Sequence, residues 1–370
     1  MSKWQMTNDK YYPLRLRAMA KEKIWGGRNL TRLLGKTLAQ DQLIGETWEA
    51  WDGCIVENGS YQGTTLGSII EKNPQALLGA TAQDQRFPLL FKFIDAQDDL
   101  SVQVHPDDTQ AHRLENYPFG KTEAWYIIHA EPGATLIHGF KDIVDAARVT
   151  EYLQRNRLQD LLAYIPVQSG DVVFVPAGTV HAIMKGIVLA EIQENSDITY
   201  RLYDWGRVGK GRDLHIDQSL QVAELTPIVD HKIARVTIQH AEFDQHYLVA
   251  CRYFSLELYD VRSRICNLQT GDRFQIVSIL QGAADIIDGE ASLSAKQGQT
   301  IFLPASIGTF DIAPSSQPCQ ILRTYVPNLS TDVIEPARRA GYAPSAIARL
   351  GGSISEHNDL IPLLAGISSP

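Results

Sequence analysis

The sequence predicts a mainly β protein built from two repeated β units, and three observations support this prediction. Short runs rich in Val, Ile, Phe and Tyr fill residues 89–200 and return from about 231 to 326; such runs, broken by Gly, Pro and Asp, are typical of sandwiches and barrels. The spacing Gly-x5-Pro-Ala occurs at 170–177 and again at 298–305, which indicates an internal duplication. A chain of 370 residues, 44% of them hydrophobic, is long enough for two domains with their own cores.

We divide the chain where one β block gives way to the next. The expected parts are a first β domain with helical insertions, a second and degenerate β domain, and a C-terminal extension of unknown role: residues 1–230, 231–330 and 331–370. The second domain is degenerate because Thr309 stands where the first copy of the repeat has His181.

Two insertions have the apolar spacing of helices rather than the alternation of strands. One is the stretch 143–164. The other is 213–225, where Asp213 is a candidate N-cap.

Composition and charge exclude several classes of protein. The formal net charge is −9 and no basic run occurs, so nucleic acid and anionic membranes are poor partners. No apolar stretch approaches the roughly 20 residues that span a bilayer, and the N-terminus lacks the apolar core of a secretory signal. Four scattered cysteines indicate reduced thiols in a cytoplasmic protein. A metal must therefore use His, carboxylate or amide ligands, and an anionic ligand needs cations gathered locally.

A first polar strand face lies just before Pro106. Alternate residues of a strand point to the same side, so Ser101, Gln103 and His105 share one face while two valines take the other. This pattern fits the interior of a barrel that binds a ligand. Taken alone, it also fits a solvent-exposed face above a valine core.

A second segment places Lys121, Glu123 and Trp125 on one strand face by the same alternation. A surface Lys/Glu pair on a half-buried strand would give the same pattern. The alternation alone therefore leaves both interpretations open.

A third segment is the first copy of the repeat. Its Pro176 and Gly178 predict a tight turn that presents His181 at the start of a strand. The Gly, Pro, Gly and His of this segment match the second signature motif of the cupin family, with Lys185 where cupins often have Asn. This resemblance implies that the two β units are cupin domains, which are jelly-roll β-barrels.

Together the three segments supply a set of metal ligands. His105, Glu123 and His181 offer two imidazoles and one carboxylate, and Gln103 is a possible fourth oxygen donor. A His/His/carboxylate set with open positions is usual in catalytic sites for zinc or a similar divalent metal. Such a metal polarises a carbonyl or hydroxyl group without redox chemistry.

The segment from Glu191 onward runs from a strand into a loop dense in Asp, Arg, Tyr and Trp. Arg201 and Arg207 could act as anion-binding forks at the rim of a pocket. A salt-bridged surface loop is the alternative. Three lysines could add to this local positive charge: Lys92, Lys121 and Lys210.

Taken in order, these motifs resemble type I mannose-6-phosphate isomerase, especially its short bacterial form. The matching segments cover about residues 13–216, with weaker similarity to about 326: Glu22–Gly27, Gly45–Glu49, Pro88–Lys92, Leu100–Asp108, Gly120–Tyr126, Pro176–Ala182 and Ser196–Asp204. The resemblance implies a zinc-dependent aldose–ketose isomerase that interconverts mannose 6-phosphate and fructose 6-phosphate. The tail after about residue 330 and Trp205-Gly206 depart from the family's pattern.

The resemblance also implies roles for individual residues. The implied metal ligands are His105, Glu123 and His181, with Gln103 variable among members, and the implied active-site residues are Arg201, Lys121 and Asp197. The chemistry of a sugar phosphate adds three candidate contacts to substrate or phosphate: Ser101, Lys92 and Arg207.

The reaction itself constrains these roles. A proton must move between C1 and C2 through an enediol(ate), so one base must serve both carbons while a cation neutralises the intermediate. An arginine, whose pKa exceeds about 12, is a poor base. We therefore give Arg201 the electrostatic role and expect Lys121 or Asp197 to take part in proton transfer.

The expected ligands are one Zn²⁺ per chain, or another divalent metal, and a small sugar phosphate; the expected assembly is a monomer or small homo-oligomer. The alternatives are another metal-dependent cupin enzyme, such as a dioxygenase or a different sugar isomerase, and a non-catalytic sugar-binding cupin. The charged surroundings argue against oxygen chemistry on an apolar substrate. The presence of all three metal ligands argues against a protein that only binds sugar.

Overall fold

The computed structural model describes residues 11–39, 41–207 and 213–365, and β-strands dominate it. Within these ranges the strands are β1 Leu14–Arg17, β2 Met19–Gly27, β3 Ile44–Ala50, β4 Ile55–Val56, β5 Leu89–Ala96, β6 Val102–Val104, β7 Glu123–Ala130, β8 Thr135–Phe140, β9 Leu162–Pro166, β10 Val172–Val175, β11 His181–Ile183, β12 Ile187–Glu194, β13 Tyr200–Tyr203, β14 Val236–Gln239, β15 Phe243–Ala250, β16 Ser255–Val261, β17 Ile265–Gln269, β18 Gln275–Gln281, β19 Ala283–Asp288, β20 Ala291–Lys296, β21 Thr300–Leu303, β22 Thr309–Pro314 and β23 Cys319–Tyr325.

The helices are short and connect or flank the strands. They are α1 Asn29–Leu34, α2 Leu66–Lys72, α3 Pro74–Leu78, α4 Asp108–Glu115, α5 Ala146–Gln154, α6 Ile216–Val222, α7 Glu335–Arg339, α8 Pro344–Ala348 and α9 Leu360–Leu364. Six 3₁₀ turns in the described part of the chain are Gly59–Tyr61, Ala82–Asp84, Leu158–Asp160, Ala305–Ile307, Arg349–Gly351 and Ser355–His357, and a π-helical turn covers Leu329–Ile334. Among the described residues, no helix combines the length and the hydrophobicity needed to cross a bilayer.

The strands form two copies of one topology, which confirms the predicted double-barrel fold. The sheet order β10-β7-β12-β5-β3-β2 corresponds strand for strand to β21-β18-β23-β16-β15-β14, and β6-β11-β8-β9 corresponds to β17-β22-β19-β20. Each pair of sheets encloses an apolar core, one around Trp125 and the other around Phe310. We call the two units the first and the second barrel.

The sequence repeat marks the same place in both barrels. Gly170 precedes β10 with φ of 90°, and Gly298 precedes β21 with φ of 77°. Both angles lie in the positive-φ region, which glycine adopts without steric strain. After the Pro-Ala turn, β11 begins at His181 and β22 begins at Thr309. The repeated motif therefore reflects a repeated structure, with different chemistry at its end.

Strands from both sides of residue 230 share one sheet. β1 pairs antiparallel with β21, with Leu14 opposite Phe302, and β4 extends the same sheet beyond β1. A large apolar core fills the space between the two barrels. In it the Phe87 ring lies 5.1 Å from Phe274 and 5.9 Å from Phe302.

The predicted helical insertions are shorter in the structure than their apolar spacing indicated. In the stretch 143–164, α5 ends at Gln154, and β9 begins at Leu162 because this segment pairs with β8. The prediction that Asp213 caps the next helix is wrong. α6 begins at Ile216, and the backbone carbonyl of Asp213 accepts a hydrogen bond from Arg201 Nη1 at 2.9 Å instead.

The C-terminal extension packs on the second barrel. Its apolar residues form a core with Val236 of β14 and Tyr247 of β15, and the Tyr247 hydroxyl donates to the backbone carbonyl of Asp332 at 3.0 Å. All four cysteines are free, with Cys54, Cys251 and Cys319 buried and Cys266 exposed.

Candidate metal centre and active site

Four strands of the first barrel align the polar residues of the site. Gln103 of β6 lies directly opposite His181 of β11 on one side and Arg201 of β13 on the other. Directly opposed residues of antiparallel strands project to the same face. Glu123 enters from the facing sheet, where it starts β7 opposite Val175.

His105, Glu123 and His181 form the centre of the site, and all three are buried. Glu123 Oε2 lies 3.7 Å from His105 Nε2, and Glu123 Oε1 lies 3.2 Å from His181 Nε2. Their potential ligand atoms all lie within 4.8 Å of one another, and this is the one such group of His, Cys, Asp or Glu among the residues that the structure describes. Three segments distant in sequence thus meet at one point.

Both histidines are oriented by the backbone. His105 Nδ1 lies 2.8 Å from the carbonyl oxygen of Ile198, and His181 Nδ1 lies 2.8 Å from that of Thr179. Because a carbonyl only accepts, each Nδ1 carries the proton and donates it. Each neutral imidazole therefore directs its Nε2 lone pair towards Glu123, the arrangement usual for metal-binding histidines.

The centre is rich in buried acceptors that lack donors. His105 Nε2 and both carboxylate oxygens of Glu123 have no hydrogen-bond partner among the described residues. Such orphaned acceptors are costly unless something positive satisfies them. Two imidazole lone pairs and a carboxylate are the donor set that a divalent metal such as Zn²⁺ prefers. The residues present therefore fit a metal ion.

Burial sets the protonation of this group. Burial lowers the pKa of His181 to about 4, and burial together with the Lys121 ammonium lowers the pKa of His105 well below its ordinary value. Both imidazoles are thus neutral and able to act as ligands near pH 7. Burial also raises the pKa of Glu123, and the nearby Glu191 carboxylate adds to this effect.

Gln103 borders the same centre. Its Nε2 lies 3.3 Å from His181 Nε2. A half-turn of the amide about its last side-chain bond brings Oε1 to the same place, where it could face a metal. The Gln103 amide therefore lies beside the ligand atom of His181.

A ring of charged groups surrounds the ligands. The Lys121 ammonium lies 3.6 Å from Glu123 Oε2 and is buried. Deeper in the barrel, Lys92 Nζ lies 3.0 Å from Glu191 Oε1, with side chains only 4% and 5% exposed. Burial would lower the pKa of Lys92, but Glu191 and Glu46 outweigh it and raise that pKa. Lys92 therefore stays charged inside the barrel.

Arg201 and Ser101 form one wall of the site. Arg201 Nε donates to Ser101 Oγ at 3.2 Å, while its Nη1 donates to the carbonyl of Asp213. The guanidinium is half-buried and held by the strand and by the segment before α6. Ser101, Gln103 and His105 thus contact Arg201, His181 and Glu123 respectively, as alternation along one strand predicts.

Three predicted residues lie farther out. Asp197 is exposed in the loop between β12 and β13, close enough that its charge helps to raise the pKa of Lys92. The Arg207 guanidinium is bound by Asp98, Asp99 and Asp204, so its described hydrogen bonds include none to the metal centre. Lys210 lies outside the described residues.

Sequence reasoning missed the partners of Lys92. Glu191 accepts from Lys92 through one oxygen and from Trp125 Nε1 through the other, at 2.9 Å. Lys92 also lies 5.5 Å from the centre of the Trp48 ring. The alternation of Glu191 with Gln193 could have indicated that Glu191 points to the polar face of its strand. Only the pairing of β12 with β5, however, places Glu191 opposite Lys92.

Comparison with known proteins identifies the family. A family model for the catalytic domain of type I phosphomannose isomerase matches residues 14–126, and one for the cupin domain of mannose-6-phosphate isomerase matches residues 244–326. Mannose-6-phosphate isomerase ManA of Bacillus subtilis is 38% identical over 310 residues, which cover 81% of this chain and 95% of that protein. The chain belongs to the type I mannose-6-phosphate isomerase family.

Other members of the type I mannose-6-phosphate isomerase family agree in extent and fold. The mannose-6-phosphate isomerase of Streptococcus mutans is 34% identical over 302 residues, which cover 80% of this chain and 93% of that protein. The crystal structure of the Bacillus subtilis mannose 6-phosphate isomerase superposes with a TM-score of 0.77 at 31% identity, covering 84% of this chain and 99% of that one. A phosphomannose isomerase variant from Salmonella typhimurium, at 17% identity and a TM-score of 0.70, shares the fold.

Proposed function

We propose that this protein interconverts mannose 6-phosphate and fructose 6-phosphate at the first barrel, through an enediol(ate) intermediate. Membership of the isomerase family supports the proposal. The observation that carries it for this chain is the buried His105–Glu123–His181 group, in which His105 Nε2 and both Glu123 carboxylate oxygens have no hydrogen-bond donor among the described residues. A bound metal ion would satisfy these buried acceptors and would lie where a polar substrate could reach it.

We assign His105, Glu123 and His181 as ligands of one divalent metal, with Zn²⁺ the expected ion and Gln103 as a fourth donor. When bound, such an ion supplies Lewis-acid chemistry at the oxygens of the sugar. The protein's own contribution is to hold the ligands in place through the Ile198 and Thr179 carbonyls.

Proton transfer between C1 and C2 needs one base on one side of the sugar. Lys121 and Asp197 are our candidates. Lys121 is buried beside Glu123, and so it can reach a sugar bound at the centre, whereas Asp197 approaches from the exposed loop. These positions support Lys121 as the base close to the metal and Asp197 as a second acid–base group at the exposed side of the site.

Arg201 is assigned to stabilise the charge that develops on the enediolate. Its guanidinium is fixed by Ser101 and by the Asp213 carbonyl, so it needs little reorganisation when charge develops. We propose that Ser101 contacts the substrate and that Lys92 and Arg207 contribute positive charge for the phosphate. Lys92 and Arg207 are paired with acidic residues in the structure, so direct phosphate binding by either requires an exchange of partners.

The remaining assignments stay predictions. We propose residues 1–230 as the catalytic domain and 231–330 as the degenerate domain, which the two-fold repeat of sheet order supports. A cytoplasmic location is supported by the four free thiols. A monomer or small homo-oligomer is the assembly that we expect.

A coupled assay tests the proposed function directly. Fructose 6-phosphate formed from mannose 6-phosphate is measured before and after chelation, together with the metal content of the protein. We expect activity that disappears on chelation and returns with Zn²⁺. Full metal occupancy without turnover of any hexose phosphate would overturn the proposal.

A single substitution tests the metal assignment. His181→Ala removes one ligand and the hydrogen bond to the Thr179 carbonyl, so it should abolish metal retention and activity while far-UV circular dichroism stays close to the parent spectrum. Wild-type activity in this variant would remove the assignment of the site.

A further inference from the structure

The second barrel has a polar cleft at the position that corresponds to the metal centre. Gln275 starts β18 opposite Leu303, as Glu123 starts β7 opposite Val175. Gln269 of β17 lies opposite Thr309, as Gln103 lies opposite His181. The two sites are therefore related by the internal duplication.

The residues at the corresponding positions do not suit a metal. Gln275 stands in place of Glu123, Thr309 in place of His181, and Gly271, two residues after Gln269, in place of His105. Amide and hydroxyl oxygens with no imidazole or carboxylate are a poor set for zinc. The duplication has kept the position and changed the chemistry.

A buried ion pair remains at the floor of both barrels, with the charges exchanged. Lys92 opposite Glu191 in the first barrel corresponds to Glu257 opposite Arg323 in the second. Glu257 is fully buried and accepts from the Tyr325 hydroxyl at 2.6 Å and from Arg323 Nη1 at 3.2 Å. A buried ion pair costs desolvation free energy that apolar residues would avoid, so a merely structural barrel gains little from it.

Arg323 is held so that one of its nitrogens remains available. Its Nε donates to Gln275 Oε1 at 3.0 Å, and its Nη1 donates to Tyr259 at 2.7 Å and to Glu257. Its Nη2 makes no hydrogen bond to the described residues. Because Arg323 lines the cleft with its side chain 15% exposed, this nitrogen is a fixed donor for a molecule in the cleft.

The cleft has the lining of a site for a polar small molecule. Its volume is about 400 Å³, within the range of ordinary ligand sites. Amides, tyrosines and the fixed guanidinium line it: Gln245, Gln269, Gln275, Tyr247, Tyr325 and Arg323. Amides and hydroxyls offer donors and acceptors together.

The C-terminal extension completes the cleft. Thr331 and Asp332 of the extension lie on its rim, beside Asn328. Asp332 binds Arg273 Nη1 at 2.5 Å, and Arg273 Nη2 lies 3.1 Å from Asp272. The two cations near the cleft, Arg273 and Arg323, are thus matched by three carboxylates, since Glu257 binds Arg323. Carboxylates therefore outnumber cations around the cleft, which disfavours an anion, while Arg323 Nη2 offers a donor to an uncharged hydroxyl group.

We propose that the cleft of the second barrel binds an uncharged polyhydroxylated molecule of hexose size, without a metal. Arg323 Nη2 and the amides bind its hydroxyl groups. This site is separate from the proposed active site and does not depend on the isomerase activity.

Titration of the full-length, metal-loaded protein with D-mannose, D-mannitol and inorganic phosphate by isothermal calorimetry tests the proposal. We expect one D-mannose or D-mannitol per chain to bind at the cleft, and phosphate not to displace it. Thr331→Trp fills the cleft from its exposed rim, so this binding should disappear. Ser330→Trp places the same ring on the neighbouring residue, which does not line the cleft, and should leave binding unchanged.

Gln245→Ala provides a second variant in case Thr331→Trp unfolds, which circular dichroism and thermal melting would reveal. The loss of one amide should weaken D-mannose binding about tenfold, which corresponds to about 1.4 kcal/mol. Failure of D-mannose and D-mannitol to bind, binding that survives in a folded Thr331→Trp variant, unchanged affinity in Gln245→Ala, or displacement by phosphate would each overturn the proposal. Isomerase activity enters none of these outcomes.

Discussion

The buried Lys92–Glu191 pair allows the sharpest prediction about stability. Glu191→Ala leaves the Lys92 ammonium without its partner at 3.0 Å and the Trp125 indole N–H without its acceptor at 2.9 Å, both away from water. Breaking a buried pair by removing one partner costs about 3–5 kcal/mol, and an orphaned neutral donor about 1–3 kcal/mol. Because one carboxylate serves both groups, we expect a fall of about 4 kcal/mol in the free energy of unfolding.

Urea denaturation measures this loss against a matched surface control. Glu151 forms an exposed pair with Arg155 at 2.7 Å, with side chains 50% and 63% exposed, so Glu151→Ala should cost less than about 0.5 kcal/mol. Adding Lys92→Met to Glu191→Ala should recover part of the loss, because it removes the unpaired charge. Equal, small losses in Glu191→Ala and Glu151→Ala would refute the conclusion that the pair is buried and mutually dependent.

Three further predictions concern the site, the second barrel and pH. Arg201→Lys keeps the charge but loses the paired bonds to Ser101 and the Asp213 carbonyl, so kcat should fall about 100-fold with metal content unchanged; an unaltered kcat would contradict its electrostatic role. Thr309→Ala should leave isomerase activity at the parental level, and a large loss would mean that the second barrel takes part in the reaction. Burial lowers the pKa of His138 from 6.5 to about 3. Below about pH 6.5 the unfolded chain therefore binds a proton that the folded protein does not, and the free energy of unfolding decreases as the pH is lowered. His138→Gln, which keeps a donor for the Phe174 carbonyl, should lose less stability than the parent protein between about pH 6.5 and pH 4 in urea titrations; equal losses would contradict this origin.

Local patterns predicted the parts of the site that follow from strand geometry. Alternation placed Ser101, Gln103 and His105 on one face, and the Pro-Gly turn placed His181 at the start of a strand. Each of these inferences needs only a few neighbouring residues, because the period of two is a property of the strand itself.

Features that depend on pairing between distant strands were not predictable in this way. Glu191 meets Lys92 only through the register of β12 with β5. The residue type of Asp213 predicted a helix N-cap, but in the structure its backbone carbonyl accepts a hydrogen bond from Arg201. Arg207 binds the Asp98 carboxylate and the Asp99 backbone carbonyl, which lie 109 and 108 positions earlier in the chain, so these contacts left no local signal. Its pair with Asp204, three residues away, is local.

The pairing of β1 with β21 has a consequence for how the chain is made. Leu14 leaves the ribosome long before its strand partner Phe302 is synthesised. Until then β1 has an unpaired edge, which is open to pairing with other chains. This closure over a long sequence separation is also slow, because the intervening chain must be ordered first. A product that stops after the first barrel would therefore keep that edge exposed.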